Sequence, residues 1–262
     1  MTLELLISCV NQDVEELAAK MQLQTNAVIV NQCDKNEYKE FSHEGHTIRS
    51  FHMSERGVGL SRNTALLHSR GDILLFADED IVYEQGYEKI IMDAFLSHPD
   101  ADMLIFNMEV AEDRATYKTL QEKRVRWYNS GRYPTYSMAL RRESFLKSNV
   151  SFSLLFGGGA KYSNGEDSLF ILECLRKSMK VVALPITIGK EVPRPSTWFF
   201  GYNEKFFFDR GVLYQRLYGK MAKPFALRFI YCHRKTMFTG NSEVNSCRQA
   251  YRLMKKGMEE MK

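Results

Sequence analysis

The sequence predicts an α/β fold: a Rossmann-like, mostly parallel central sheet with helices on both faces, followed by a helical extension that is aromatic and basic. Three observations predict it. Short apolar runs alternate with segments of helical periodicity through the first 110 residues, the pattern of a parallel sheet wrapped by helices. The runs at 3–10, 27–30 and 73–77 end in Asn11, Asp34 and Asp78-Glu79-Asp80, so polar groups gather at the strand ends where such sheets bind ligands. From Arg216 to Lys262 there are eleven Lys and Arg against three Glu, which sets the C-terminal segment apart.

The elements follow in order. Residues 3–10 form an apolar run that reads as a buried strand, and Asn11-Gln12-Asp13 turns the chain. Val14, Leu17, Ala18 and Met21 recur at helical spacing, and strands are expected at 27–30 and 47–51. A helix is expected at 60–69, with Arg62 and Asn63 in its first turn and Gly71 closing it. The strand at 73–77 runs into the acidic triplet, and a helix at 87–97 and a strand at 103–108 follow. The segment 109–149 is irregular. Gly157-Gly158-Gly159 reads as a flexible loop, Asn164 to Asp167 open a helix reaching about Lys177, and 181–184 is a strand. Pro185, Pro193 and Pro195 are read as a boundary.

Composition limits the function. A chain of 262 residues, 44% hydrophobic, fits one α/β domain with an appendage. A net charge of +4 is too mild to argue for nucleic acid, and no nucleic-acid motif accompanies the basic residues. Cys9, Cys33, Cys174, Cys232 and Cys247 are odd in number and lack metal-type spacing, so they read as reduced thiols. No leader pattern opens the chain, and no run approaches the ~18 apolar residues of a membrane span. The expected location is the cytoplasm, with at most a peripheral position at the inner face of the cell membrane.

Three groups of residues suggest chemistry. Asp78-Glu79-Asp80 brings carboxylates together after a core strand, which is costly unless a hard cation such as Mg²⁺ or Mn²⁺ neutralises them. A solvated acidic turn is the plain alternative. Gly57 and Gly59 precede a helix whose N-terminus favours anions, and Arg56 and Arg62 are placed to pair with phosphate oxygens. The alternative there is an ordinary Gly-rich turn. Glu166-Asp167 supplies a second acidic site, although acids at a helix start also favour its dipole.

The runs Gly59-Leu60-Ser61-Arg62-Asn63-Thr64-Ala65-Leu66 and Ser69-Arg70-Gly71-Asp72, continuing through Ile73-Leu74-Leu75-Phe76-Ala77 to Asp78-Glu79-Asp80, resemble inverting family 2 glycosyltransferases of the GT-A fold. Ile7 to Asn11 resembles their first nucleotide-contacting strand, and Gly165-Glu166-Asp167 resembles their base-bearing helix start. Asn31-Gln32-Cys33-Asp34 departs from the Asp-Asp-Gly-Ser turn of many members. The likeness covers roughly residues 3 to 210 and is closest to bacterial enzymes of capsular and surface polysaccharide synthesis.

The resemblance implies a UDP-sugar donor, Mn²⁺ or Mg²⁺, and a saccharide or lipid-linked saccharide acceptor. It implies metal ligation by Asp80 with Asp78. Donor contacts would come from Ser8, Val10, Asn11, Asn31, Asp34, Arg56, Arg62, Asn63, Asp78 and Glu79. Asp167 would be the general base, with Glu166, Gly158 and Trp198 on the acceptor. It divides the chain into a nucleotide-sugar half at 1–110, an acceptor half at 111–195 and a helical extension at 196–262. In that extension Cys247, Tyr251, Met254, Met258 and Met261 form an apolar stripe among basic residues. Such a helix covers its own domain, a second copy in a homodimer, or an anionic membrane. Two other functions stand as alternatives. A nucleotidyltransferase would need a Gly-rich N-terminal loop that 3–11 lacks, and a non-catalytic sugar- or membrane-binding module would use the tail alone.

Overall fold

The structure, a computed structural model, describes residues 1–111, 117–193, 201–238 and 243–260. The elements are β1 (Leu3–Val10), α1 (Val14–Lys20), β2 (Asn26–Gln32), β3 (Glu37–His43), β4 (His46–Met53), α2 (Val58–His68), β5 (Ile73–Asp78), β6 (Ile81–Tyr83), α3 (Tyr87–Ser97) and β7 (Met103–Glu109). After them come β8 (Lys123–Arg124), β9 (Met138–Arg141), α4 (Arg142–Ser148), α5 (Glu166–Arg176), β10 (Val181–Glu191), α6 (Glu204–Tyr218), α7 (Ala222–Met237) and α8 (Cys247–Glu260).

One sheet runs β3-β4-β2-β1-β5-β9-β7-β10-β6, with β8 paired to β10. The pairs β4–β2, β2–β1, β1–β5 and β7–β10 are parallel. β9 enters antiparallel between β5 and β7. Along β1, Leu5 and Ile7 pack into one core layer and Leu6 into the other, as expected of a strand covered on both faces. The layers hold α1 and α3 residues on one side and α2 and α5 residues on the other.

Three details differ from the sequence reading. β3 was not anticipated. Its residues are mostly exposed, and it forms an antiparallel edge hairpin with β4 through Glu44 and Gly45, both at positive φ. Gly71 does not close α2, which ends at His68 with Ser69 as its cap. Its smallness serves close packing instead: a Cβ there would stand 2.6 Å from the Cβ of Glu4. Glu4 accepts from the Gly71 N–H at 2.9 Å and from Arg49 at 2.6 Å inside the protein. Pro185 does not end the last strand, because β10 continues to Glu191 past register shifts between Ala183 and Lys190.

The C-terminal helices pack on one another. Met254 and Met258 of α8 are buried together with Phe206 and Phe207 of α6 and Ala226 of α7. Glycines permit the crossing: a Cβ on Gly257 would stand 2.1 Å from the Phe208 carbonyl, and one on Gly211 2.0 Å from that of Met254. Met254 and Met258 of the apolar stripe, with Tyr251 partly buried beside them, therefore pack on the chain's own α6 and α7, while Cys247 is exposed. Met261 lies outside the described residues. Among the described residues no helix is long and apolar enough to cross a membrane.

Candidate active site

Asp78 and Glu79 of the acidic triplet take different partners. Asp78 ends β5 and pairs with Arg62 at 2.9 Å. Glu79 turns back to accept from the Val10 N–H at 2.7 Å. Asp80 is buried between β5 and β6, and its carbonyl accepts from the Val192 N–H at 2.7 Å. Successive side chains at a strand end point to different sides, so three neighbouring acids need not share one ion. Among the described residues no group of three His, Cys, Asp or Glu side chains converges as a metal cage. Asp78 and Asp80 offer oxygen donors, the chemistry a hard ion takes, and Mg²⁺ commonly takes only one or two carboxylates from the protein.

Arg62 is the hub. Its side chain is only 5% exposed, and its two terminal nitrogens bind Asp78 and Glu166, each at 2.9 Å. The guanidinium also lies 5.5 Å from the centre of the Phe152 ring, which stacks on Phe170 at 4.0 Å. Arg62 thus ties α2 to the end of β5 and the start of α5. Asn63 is likewise occupied: it donates to the Phe152 carbonyl and accepts from the Phe152 N–H.

The start of α2 is closed. The Val58 N–H donates to the Gly158 carbonyl at 2.9 Å and the Gly57 N–H to Gln32 at 2.6 Å. A Cβ on Gly59 would stand 2.4 Å from the Ser153 carbonyl. Two N–H groups at the helix start are thus taken by the protein's own oxygens, one of them the Gly158 carbonyl. Arg56 reaches the Gln32 carbonyl and pairs with Asp34 at 2.9 Å, on the surface. Ser8 donates to Ser61 at 2.7 Å. Asn31 is buried and donates to the Gln12 carbonyl at 2.7 Å. Val10 and Asn11 remain exposed at the end of β1, with Asn11 at φ 50°.

A cavity of about 610 Å³ lies beside these strand ends. Its lining includes Arg62, Asp78, Glu166, Asp167 and Arg210, so two expected site acids from distant parts of the chain share it with the acid opening the triplet. Gly158, Asp34 and Asn11 are not part of this lining. Asp167 opens α5. Its Oδ1 accepts from the Ser168 N–H at 2.6 Å and the Ser168 hydroxyl at 3.2 Å. Its Oδ2 has no hydrogen-bond partner among the described residues. Burial raises the Asp167 carboxyl above its ordinary value, although Ser168, Arg62 and Arg210 pull the other way. Burial and the adjacent Asp167 likewise raise Glu166, more than Arg62 lowers it.

The sequence reading missed how α6 builds this wall. Gly165, at φ 108°, lets Leu213 of α6 approach so closely that a Cβ would stand 2.5 Å from it. Asp209 accepts from the Ser163 N–H at 2.9 Å and from Lys205 at 2.6 Å, fixing the loop before Asp167. The glycine before Glu166-Asp167 was the signal available for that contact. Trp198, expected on the acceptor, lies outside the described residues.

A sheet of this topology with acids at the β5 end and a second acidic site on a following helix defines a glycosyltransferase of the GT-A fold. The pattern described as Glycosyl transferase family 2 matches residues 4–153, more than half of the chain, and the protein belongs to that family. The structure is similar to S. aureus TarS 1-349 in complex with UDP-GlcNAc, at 14% identity, TM-score 0.60, covering 92% of this chain and 74% of that one. The UDP complex of the same protein aligns at 14% identity and TM-score 0.60 over 100% of this chain and 83% of that one. Longer S. aureus TarS gives TM-score 0.59 at 14% identity, covering 91% of this chain but 44% of that one. At such identity the likeness shows the fold. Comparison with curated proteins finds no match.

Proposed function

We propose that the protein transfers a sugar, with inversion, from a UDP-sugar to a saccharide or lipid-linked saccharide acceptor in surface polysaccharide synthesis, with Asp167 as general base. One observation carries this reading: Asp167, with a carboxylate oxygen that has no partner among the described residues, shares a cavity with Asp78 at the end of β5. TarS bound to UDP-GlcNAc and to UDP supports the choice of donor.

In this reading Asp167 Oδ2 takes the proton from the acceptor hydroxyl as its oxygen bonds to the anomeric carbon. The bond from that carbon to the diphosphate breaks on the opposite face, and UDP leaves. Burial raises the Asp167 carboxyl, which makes its carboxylate a stronger base. Arg62 holds Asp78 and Glu166 in place without touching the reacting atoms. Asp80, with Asp78, would hold Mg²⁺ or Mn²⁺, which supplies positive charge to the leaving diphosphate. Val10, Asn11, Asn31 and Asp34, at the ends of β1 and β2, would face the nucleoside. The basic outer surfaces of α7 and α8 suit a peripheral position on an anionic membrane that carries a lipid-linked acceptor.

The test is thermal stabilisation by a panel of nucleotides and nucleotide sugars, with and without Mn²⁺. A ligand at 100 times its Kd adds about 2.7 kcal/mol, so a genuine donor stands out. UDP and one UDP-sugar should stabilise the protein, more so with metal. A flat response to every uridine nucleotide would refute the donor assignment.

A further inference from the structure

Arg210 of α6 is an unusual cation. It lines the cavity that holds Asp167, and its guanidinium sits 5.1 Å from the ring centres of both Phe206 and Phe229. Its Nε is buried with no hydrogen-bond partner. No carboxylate pairs with it among the described residues. Lys205, five residues before Arg210 in the sequence, differs, because Asp209 neutralises it at 2.6 Å. Arg132 lines the same cavity, 4.8 Å from the centre of the Tyr117 ring, and it too has no carboxylate partner among the described residues. The two arginines belong to one neighbourhood. Both act electrostatically on Tyr218, whose hydroxyl would lie 3.3 Å from a Cβ on Gly131, the residue preceding Arg132.

An unpaired guanidinium partly withdrawn from water is costly, and a planar fork of N–H donors matches the oxygens of phosphate or carboxylate. The acids of this cavity do not meet that need. Asp78 and Glu166 are held by Arg62, Asp167 acts on Arg210 without an ion pair between them, and no ion pair joins Glu191 to either arginine among the described residues. We propose that Arg210 and Arg132 form an oxyanion subsite that binds a phosphate or carboxylate group carried by the acceptor, and so set the enzyme's preference for a negatively charged acceptor. This rests on the glycosyltransferase reading given above. The placement favours the acceptor over the donor. Arg210 acts on Asp167, the group that must meet the acceptor hydroxyl, and it belongs to α6, whereas the residues expected around the nucleoside lie at the ends of β1 and β2. An anion held here would bring the acceptor hydroxyl toward Asp167.

The test is an NMR chemical-shift titration of the full chain with inorganic phosphate, in the presence of saturating UDP and Mg²⁺. A parallel titration with glucuronate distinguishes a phosphoryl from a carboxylate source, and the tighter binder names the class. Phosphate or glucuronate should bind the wild type with UDP already bound. Arg210→Gln and Arg132→Gln should each weaken that binding about tenfold or more, with Arg210→Lys in between. Arg132→Gln keeps the test readable if Arg210→Gln folds poorly. Equal binding by wild type and both Gln variants would overturn the subsite. Loss of phosphate binding when UDP is added would also overturn it, assigning the arginines to the donor diphosphate. If UDP itself fails to bind, the donor reading falls, and the acceptor role falls with it. A phosphate titration without nucleotide, run alongside, shows which of the two has failed.

Discussion

Replacing Arg62 by Ala should be among the most damaging single changes in the site, through stability first. The guanidinium is 5% exposed and bridges Asp78, whose side chain is 24% exposed, and Glu166, which is 11% exposed, at 2.9 Å each. Removing one partner of a buried pair leaves uncompensated charge and costs about 3–5 kcal/mol. For a chain of this size each kcal/mol moves Tm by roughly 2–4 °C, so a fall of about 6–20 °C is expected. The sign of the pH dependence follows. Without Arg62 the Glu166 carboxyl loses the partner that lowers it, and burial and Asp167 already raise it. A raised carboxyl is tolerated below its unfolded value and loses stability as pH rises through its folded value. The deficit should therefore be largest near pH 8 and shrink toward pH 5. Thermal melts by circular dichroism at both pH values measure it. A variant melting within about 2 °C of wild type at pH 8 would refute the bridging role.

Three further outcomes are expected. Asp167→Asn should raise Tm at pH 8 but not in strong acid, because it removes a carboxyl whose ionised form burial disfavours; paired melts at the two pH values check it. Gly257→Ala forces a Cβ to within 2.1 Å of the Phe208 carbonyl, and should lower stability by about 1–3 kcal/mol, read from the urea midpoint. Asp80→Ala should abolish the difference in UDP affinity with and without Mn²⁺ in calorimetric titration; an unchanged difference would remove Asp80 from the metal site.

Much of the site-bearing half was legible because its signals are local. Apolar runs ending in polar residues mark β1, β2 and β5, and Tyr87–Ser97 matches the helix expected from periodicity. Asp167 stood out only through the family resemblance, since an acid pair opening a helix is ordinary by itself. β3 was invisible because Glu37–His43 is polar and lies at the sheet edge, where pairing comes from the backbone. The Arg62 bridge was invisible because it joins residues 104 apart in sequence, and no spacing rule reports such a meeting. The apolar stripe of α8 was legible, but its partner was not, since burial against α6 and docking on a membrane demand the same periodicity. Gly257 on that helix was the available sign of a close crossing.

The measurement that tests the account most directly is the turnover of Asp167→Asn with the best UDP-sugar and an acceptor, alongside its affinity for UDP. Loss of a general base should lower kcat by about 10²–10⁴-fold. UDP affinity should stay within about twofold, a shift well under 1 kcal/mol. Turnover equal to wild type would contradict the assignment of Asp167 as the base.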